Sequence, residues 1–258
     1  SQIPPQRLMS LAAPLYATGI ALLIATALFG ISKKGATRWL NLGVVIQPSE
    51  LMKLAMPLML AWWFQKCEGR MTIGAWAVAA LLLLVPLGLV VKQPDLGTAI
   101  LIFSAGVYVL FFAGLSWRLI VPVLLLAFAS IAALIVTEPT ICQPGVDWPL
   151  LKPYQQHRVC TLLDPSKDPL GKGFHIIQGM IAIGSGGLGG KGFMQGTQTH
   201  LEFIPERTTD FIFAAFAEEF GLAGTVGLLL AFTFLIFRGL MIAAEAPTLF
   251  SRLLAGAI

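Results

Sequence analysis

The chain has 258 residues, of which 57% are hydrophobic and 12% are charged. Soluble globular domains carry about 25% charged residues, so this composition excludes an ordinary soluble domain and is typical of an integral membrane protein. The formal net charge is +4, and the basic residues lie between apolar runs rather than on one face. This distribution argues against nucleic acid as a partner.

Six apolar runs are predicted to be membrane-spanning helices, each of which needs about 20 mostly apolar residues. They are Leu8–Ile31, Leu51–Phe64, Ile73–Val91, Leu96–Trp117, Leu119–Val136 and Phe211–Phe237. The second run is short, so we extend it backward through Pro48, and a seventh run begins at Leu253. We therefore expect an all-α, multi-pass fold that forms a single membrane domain over residues 1–258. Because Ser1 is not an initiator Met, we also expect a longer parent protein.

The basic residues at the ends of these runs predict the orientation in the membrane. If the runs alternate in direction, one side carries Arg7, Lys66, Arg70, Arg118, Arg238 and Arg252, and the other carries Lys33, Lys34, Arg38 and Lys92. The positive-inside rule assigns the larger group to the cytoplasm. The segment Thr137–Thr209 (137–209) is then a large extracytoplasmic loop.

The predicted loop has an irregular first part and a short helix. The part Thr137–Asp168 is rich in Pro and polar residues, and we expect no regular structure there. It contains Cys142 and Cys160, which an oxidising exterior would allow to form a disulfide, while two free thiols are the alternative. The apolar stretch His175–Ile183 is too short to span a bilayer, so it predicts an interfacial or re-entrant helix.

A glycine-rich run, Gly184–Gly192, follows this short helix and contains Lys191. Glycine lets the backbone approach a ligand closely and expose its N–H groups. Two interpretations stay open: a flexible linker, and a loop that holds an anion with the help of Lys191.

Several charged residues are placed at membrane depth, where they are costly. Asp210 lies where the long loop turns into the last apolar run, and such carboxylates usually face a cavity or a partner rather than lipid. Glu50 and Lys53 are spaced i, i+3 on one helix face, which suits either an internal ion pair or a cationic contact for a ligand. Asp95 lies between two runs, where it is either a helix N-cap or a site residue.

Arg38 and Trp39 lie in the connection between the first two runs. The forked guanidinium of Arg38 could bind phosphate, and Trp39 could belong to an interfacial aromatic belt. Glu218 and Glu219, within the last run, are given structural roles. The histidines are too scattered for a metal motif, so we expect no zinc site: they are His157, His175 and His200.

Eight stretches in order along the chain resemble the SEDS (shape, elongation, division and sporulation) proteins. They are Gly35–Trp39, Gln47–Glu50, Gln93–Gly97, Leu163–Pro165, Asp168–Gly171, Ile181–Leu188, Gly190–Gly192 and Leu201–Phe213. The glycine-rich stretch and the Pro-Glu-Arg sequence favour the elongation branch, RodA, over the division branch, FtsW. The family has ten spanning helices, so the resemblance implies that this chain holds the third to the start of the ninth.

The resemblance implies a peptidoglycan glycosyltransferase of the bacterial inner (cytoplasmic) membrane. It would polymerise lipid II into β-1,4 glycan strands during elongation, by an inverting displacement of undecaprenyl pyrophosphate with Asp210 as general base. Partial burial of Asp210 would favour proton abstraction. The partner implied is a class B penicillin-binding protein, a transpeptidase, within the lipid membrane.

The remaining site residues follow from the same resemblance. Four cations would hold pyrophosphate, with a divalent cation (Mg or Mn) and no organic cofactor: Arg38, Lys53, Lys191 and Arg207. Trp39 would stack on sugar, and Glu50 and Asp95 would line a central cavity. Thr208 stands where close relatives often have His. Two other functions remain open, a lipid II flippase and a non-catalytic scaffold for the penicillin-binding protein.

Overall fold

Long apolar helices make up most of this computed structural model, which describes residues 4–33, 36–41, 43–143, 146, 148, 153–169, 171–200 and 209–257. The helices are α1 (Pro5–Phe29), α2 (Pro48–Lys66), α3 (Ile73–Lys92), α4 (Leu96–Phe112), α5 (Trp117–Ile141), α6 (Pro153–Leu163), α7 (Lys172–Ser185), α8 (Thr197–His200), α9 (Ile212–Glu245) and α10 (Leu249–Ala257). The all-α prediction is confirmed.

Local sequence explains where several of these helices begin and end. Proline occupies the first turn of α2, where its missing N–H costs no hydrogen bond. Thr72 caps α3, because its hydroxyl accepts a hydrogen bond from the Ala75 backbone N–H at 3.3 Å. Gly114, at φ 103°, follows the end of α4. The predicted fourth span therefore ends at Phe112, and Trp117 belongs to α5.

Four helices among the described residues have the length and composition to cross a membrane: α1, α3, α5 and α9. Two of the six predicted spans are weaker candidates. α4 is apolar but has only 17 residues, and α2 carries Glu50, Lys53 and Lys66 within its 19 residues. A bilayer requires every backbone group to be satisfied internally, which continuous helices achieve.

A small antiparallel sheet connects α1 to α2, and the sequence did not predict it. Its strands β1 (Ile31–Lys33), β2 (Ala36–Asn41) and β3 (Val45–Ile46) pair in the order β1-β2-β3. Trp39 lies opposite Ile31, and Leu40 lies opposite Ile46. The sheet holds β2 in place and so fixes the backbone of Arg38 and Trp39.

The described residues divide into two compact units, the first within residues 1–120 and 236–258 and the second within 121–235. In the first unit α2 lies at the centre, and one of its faces buries Met52, Met56, Leu60 and Phe64. Glycine allows α1 to approach this face, because a Cβ at Gly19 would lie 2.3 Å from the Met52 sulfur. Small residues at such crossings are typical of membrane helix packing.

The second unit contains most of α5, then α6, α7, α8 and most of α9. The prediction of irregular structure over Thr137–Asp168 is wrong, because α5 continues to Ile141 and Pro153–Leu163 forms α6. A disulfide joins Cys142 to Cys160, with their Cα atoms 5.7 Å apart, and ties the end of α5 to α6. The short helix predicted at His175–Ile183 is present as α7.

Candidate functional site

The glycine-rich segment is inserted into a break in α9. At Gly221 the backbone leaves helical geometry (φ 63°, ψ −162°), so the N–H groups of Leu222 and Ala223 lose their partners one turn back. They donate instead to the carbonyl oxygens of Gly187 and Leu188, at 2.9 and 3.0 Å. Residues 187–192, the inserted segment, thus supply acceptors that the broken helix lacks.

The inserted segment also donates hydrogen bonds to the broken helix. The freed carbonyl oxygens of Glu218 and Glu219 accept hydrogen bonds from the backbone N–H groups of Lys191 and Gly192, both at 3.0 Å. A buried or membrane-embedded backbone group without a partner is costly, so these four bonds make the break tolerable. Neither interpretation of the glycine run, as a linker or as an anion-holding loop, describes this arrangement.

Glycine is required at this junction because the two backbones nearly touch. A Cβ on Gly190 would lie 2.1 Å from the Glu219 carbonyl oxygen, and one on Gly221 would lie 2.3 Å from the Gly190 nitrogen. Gly221 also has a backbone conformation that residues with a Cβ rarely adopt. The sequence shows the glycines but not their contact, which joins segments about 30 residues apart.

Lys191 forms an ion pair with Glu218 at the same junction. The Lys191 Nζ lies 2.7 Å from the Glu218 Oε1, and the Glu218 side chain is 0% exposed. Burial of a carboxylate requires a nearby cation and hydrogen-bond donors, and Lys191 supplies the charge. The predicted role of Lys191 in holding pyrophosphate therefore competes with a carboxylate of the protein itself.

Asp210 occupies an exposed turn immediately before α9. The expected partial burial is wrong for the described structure. Its neighbour Phe211 is anchored, because the ring packs against Ala182 and Ala214 and lies close to Gly179 of α7. The His175 ring centroid is 6.4 Å from that of Phe211. A fixed aromatic residue thus holds the backbone that presents the Asp210 carboxylate.

A polar cluster in the first unit comprises Arg38, Gln47, Ser49, Asp95 and Thr98, and we call it the Asp95 cluster. Asp95 is buried, and its carboxylate accepts from the Thr98 hydroxyl at 2.9 Å and the Gln47 amide at 3.0 Å. Gln47 also donates to the Ser49 hydroxyl at 3.1 Å. Asp95 is the N-cap of α4, as one of the two interpretations expected, and it also contacts Arg38.

Arg38 reaches this cluster from β2. Its Nη1 lies 3.6 Å from the Asp95 Oδ1. Its Nε is buried, and within the described part of the chain no acceptor forms a hydrogen bond with it. A buried donor without an acceptor costs about 1–3 kcal/mol, so an anion that accepted a hydrogen bond from this N–H would be stabilised. Trp39 follows Arg38 on the strand, and successive side chains of a strand point to opposite faces.

Glu50 and Lys53 form the predicted ion pair on α2, with the Glu50 Oε2 2.7 Å from the Lys53 Nζ. Both side chains are partly exposed, so the pair is accessible to solvent or a ligand. Arg207 and Thr208 lie outside the described residues. Gln47 lies in one of the SEDS-like stretches but was given no role. Thr98 could have been found, because it stands three residues after an N-cap aspartate.

A cavity of about 780 Å³ lies beside the disulfide in the second unit, and its described lining does not include Asp210. The charged residues of this lining are already matched with partners. Lys167 pairs with Glu138, and the His157 Nε2 lies 3.8 Å from the Asp168 Oδ2. The cavity therefore offers little unsatisfied charge, and we treat the Asp210 turn of the second unit and the Asp95 cluster of the first unit as two separate candidate sites.

The described residues offer no group of three His, Cys, Asp or Glu side chains arranged to hold a metal ion. A resident divalent cation bound by the protein alone does not fit these residues, since Mg²⁺ is bound through carboxylates and substrate phosphates. We therefore derive no step through a metal.

These helices and charged side chains define a multi-pass α-helical membrane protein with polar sites at helix ends and at a helix break. The family model for FtsW, RodA and SpoVE, described as a cell cycle protein family, matches residues 1–258. The chain belongs to this family, which is the SEDS family that the sequence motifs indicated.

Two relatives show how close the similarity is. The chain is 49% identical over 259 residues to peptidoglycan glycosyltransferase MrdB of Escherichia coli strain K12, which covers 100% of this chain and 67% of that protein. It is 31% identical over 304 residues to peptidoglycan glycosyltransferase RodA of Treponema pallidum, which covers 95% of this chain and 70% of that protein. The chain thus spans about two thirds of each relative.

Two solved structures have the same fold. One, from a study of the structural coordination of polymerization and crosslinking by a peptidoglycan synthase complex, matches with a TM-score of 0.72 and 36% identity, covering 99% of this chain and 68% of that chain. The other is the Rod shape determining protein RodA of Thermus thermophilus, with a TM-score of 0.58 and 29% identity, covering 98% and 62%.

Proposed function

We propose that this chain is a peptidoglycan glycosyltransferase that polymerises lipid II into β-1,4 glycan strands. Family membership over residues 1–258 supports this proposal, as do relatives named peptidoglycan glycosyltransferase. The match to a peptidoglycan synthase complex adds to it. We place the protein in the bacterial inner membrane, with the segment between α5 and α9 on the outer side.

The reaction needs one base and a stabilised leaving group. The 4-hydroxyl of one disaccharide attacks the anomeric carbon of another, the bond from that carbon to the pyrophosphate oxygen breaks, and undecaprenyl pyrophosphate leaves. An α-linked donor gives a β-linked product by a single inversion. Pyrophosphate leaves readily once its charge is balanced, so the pair of carboxylates used by glycoside hydrolases is not required.

Asp210 is the proposed base, and the proton of the attacking hydroxyl passes to its carboxylate. One observation carries this assignment. The Asp210 carboxylate is exposed on a turn, and the next residue, Phe211, is packed between α7 and α9. A general base must reach the proton that it abstracts, and fixed geometry favours that approach. Its match to the family motif, within Leu201–Phe213, supports the same role.

Arg38 is the proposed cation with the best support for binding pyrophosphate. Its buried Nε has no acceptor among the described residues, and guanidinium forks suit phosphate oxygens. The Nζ atoms of Lys53 and Lys191 each lie 2.7 Å from a carboxylate oxygen of the protein. That negative charge offsets part of the positive charge available to pyrophosphate. Arg207, the sugar contact of Trp39 and the roles of Glu50 and Asp95 in a cavity remain predictions from the resemblance.

A transpeptidase of the class B penicillin-binding type is the proposed partner. The similar peptidoglycan synthase complex coordinates polymerization with crosslinking, and a crosslinking enzyme uses the strands that a polymerase makes. A divalent cation, Mg or Mn, stays a prediction that polymerisation with and without a chelator would test.

The test is glycan synthesis from lipid II by purified protein in detergent, where a flippase would make no polymer. We expect Asp210→Asn to lose about 10²- to 10⁴-fold of the polymerisation rate, the range that a general base supplies. Asp210→Asn keeps the size of the side chain, so thermal unfolding should be unchanged. Glu245→Gln, an exposed carboxylate at the end of α9, is the matched control and should keep full activity.

Two results would contradict the proposal. Polymer made by Asp210→Asn at the wild-type rate would remove Asp210 as base. An absence of polymer from the wild-type protein, with active transpeptidase and lipid II present, would refute the polymerase and leave the flippase and the scaffold.

A further inference from the structure

His175 has a ring nitrogen that is buried without a hydrogen bond. Its Nδ1 has no hydrogen-bond partner among the residues that the structure describes. A buried polar atom without a partner costs stability, and an apolar ring of similar shape would avoid that cost. Packing alone therefore favours a residue such as phenylalanine at this position of α7, and the choice of histidine needs another explanation.

The spacing of residues on α7 explains why the nitrogen has no local partner. On α6, the His157 Nδ1 lies 2.9 Å from the hydroxyl oxygen of Thr161, four residues further along that helix. The residue four positions after His175 is Gly179, which has no side chain to offer. Glycine is required there, because a Cβ would lie 2.9 Å from the Phe211 Cδ1. The site that holds the Phe211 ring thus leaves the imidazole without a neighbour of its own helix.

His175 also lies close to the proposed base. Its ring centroid is 6.4 Å from that of Phe211, within the range of interacting ring pairs. Asp210 directly precedes Phe211, so His175 contacts the residue next to the proposed base. A sugar whose hydroxyl meets the Asp210 carboxylate must therefore bind beside this pair of rings.

The imidazole has the chemistry to bind such a sugar. A histidine nitrogen donates or accepts a hydrogen bond according to its tautomer, so it suits hydroxyl and acetamido groups alike. The side chain as a whole is partly exposed. The torsion about the Cβ–Cγ bond of histidine is broad and roughly two-fold, so the ring can turn and carry Nδ1 away from its buried position.

We propose that His175 binds the acceptor sugar, through a hydrogen bond between its Nδ1 and a hydroxyl or acetamido group beside the hydroxyl that Asp210 deprotonates. The inference rests on the proposed role of Asp210 as base. The nitrogen has no partner among the described residues because its partner is the substrate. Such a contact binds the substrate and the transition state alike, so it lowers KM and leaves kcat unchanged.

The experiment measures KM and kcat for glycan synthesis from lipid II, together with thermal unfolding, for His175→Phe. This variant keeps a ring against Phe211 but removes both nitrogens. We expect KM to rise about 3- to 10-fold, the loss of one hydrogen bond, with kcat within about twofold of the wild type. Tm should rise by roughly 2–6 °C, because the buried polar atom is gone.

His175→Asn is the rescue variant, because asparagine carries its polar atoms on Cγ, where histidine carries Nδ1. It should return KM to within about twofold of the wild type, and an Asn variant with the KM of His175→Phe would exclude Nδ1 as the contact. His157→Phe is the matched control, since the His157 nitrogen already has Thr161 as its partner. That variant should keep the wild-type KM and kcat and should not raise Tm.

The outcomes separate this inference from the proposed function. If Asp210→Asn is inactive while His175→Phe keeps the wild-type KM, the inference is overturned and the proposed function stands. A lower Tm for His175→Phe also overturns it, because the nitrogen would then stabilise the free protein. A fall in kcat at unchanged KM would make His175 only a support for Phe211. If Asp210→Asn polymerises at the wild-type rate, the proposed function and the inference fail together.

Discussion

Replacement of Gly221 by alanine tests the junction between the inserted segment and α9. The new Cβ would lie 2.3 Å from the Gly190 nitrogen and 2.9 Å from the carbonyl carbons of Gly189 and Leu188. All three atoms belong to the backbone, so no change of side-chain rotamer can relieve the clash. The inserted segment must withdraw, or the helix break must change its geometry.

The expected cost follows from two contributions. The backbone conformation at Gly221 (φ 63°, ψ −162°) lies in a region almost restricted to glycine, and a residue with a Cβ pays about 1–3 kcal/mol there. Withdrawal of the inserted segment breaks four backbone hydrogen bonds, each worth about 0.5–1.5 kcal/mol net. We therefore expect Gly221→Ala to lower the free energy of unfolding by at least about 3 kcal/mol.

Thermal unfolding in detergent, followed by the fluorescence of the six tryptophans, measures this loss. For a chain of this size each 1 kcal/mol shifts Tm by about 2–4 °C, so a fall of at least about 6 °C is expected. Gly227→Ala is the matched control, since a Cβ there meets nothing within 4 Å. That substitution in a regular helix should leave Tm unchanged or raise it slightly.

Gly190→Ala approaches the same junction from the other side, where its Cβ would lie 2.1 Å from the Glu219 carbonyl oxygen. It should destabilise the protein to a similar extent. If Gly221→Ala and Gly190→Ala both unfold at the temperature of Gly227→Ala, the inserted segment does not support the helix break, and our account of the glycine run is refuted.

Three further predictions concern stability. Replacement of Cys142 and Cys160 by serine should lower the free energy of unfolding by about 3 kcal/mol, the chain-entropy value for a loop of 18 residues. Denaturation with and without reductant measures this loss. A wild-type protein whose stability did not change with reductant would contradict the prediction. Asp95→Ala should cost about 1 kcal/mol more than Asp95→Asn, because asparagine still caps a helix; equal denaturation midpoints would count against the cap. A side-chain hydrogen bond from Ser166 lowers the pKa of the Asp164 carboxyl below its ordinary value of 3.8. The stability that this contact gives is therefore present above pH 3.8 and is lost as the pH falls through the lowered pKa. Ser166→Ala should weaken the dependence of Tm on pH in that acidic range, and an unchanged dependence would exclude the contact.

The sequence by itself determined the helical membrane fold and the starts of most long helices, but not the ends of α4, α5 and α9. Apolar runs, with Pro48, Thr72 and Asp95 at helix starts, are local signals, and a bilayer leaves helices as the simplest way to satisfy each backbone group. The short helix α7 and the Glu50–Lys53 pair followed in the same way, because residues three or four apart on a helix are neighbours. The ordered motifs also led to the family.

Local patterns did not reveal the small sheet or α6. The strands β1, β2 and β3 are short, and their stability depends on pairing with each other rather than on their own composition. The segment that became α6 is polar and follows several prolines, so its composition favoured a loop. Its helix is tied to α5 by the disulfide, a contact that a cysteine count allowed but did not select.

Only the tertiary structure decided which charged groups meet. Arg38 and Asp95 are 57 residues apart, and Lys191 and Glu218 are 27 apart. No periodicity relates positions so distant, because their contact depends on how helices and loops pack. The same holds for Gly190 and Gly221, whose contact lets the glycine-rich segment supply hydrogen bonds at the break in α9. The sequence shows where the costly charges and the glycines lie, and tertiary packing determines which residues they contact.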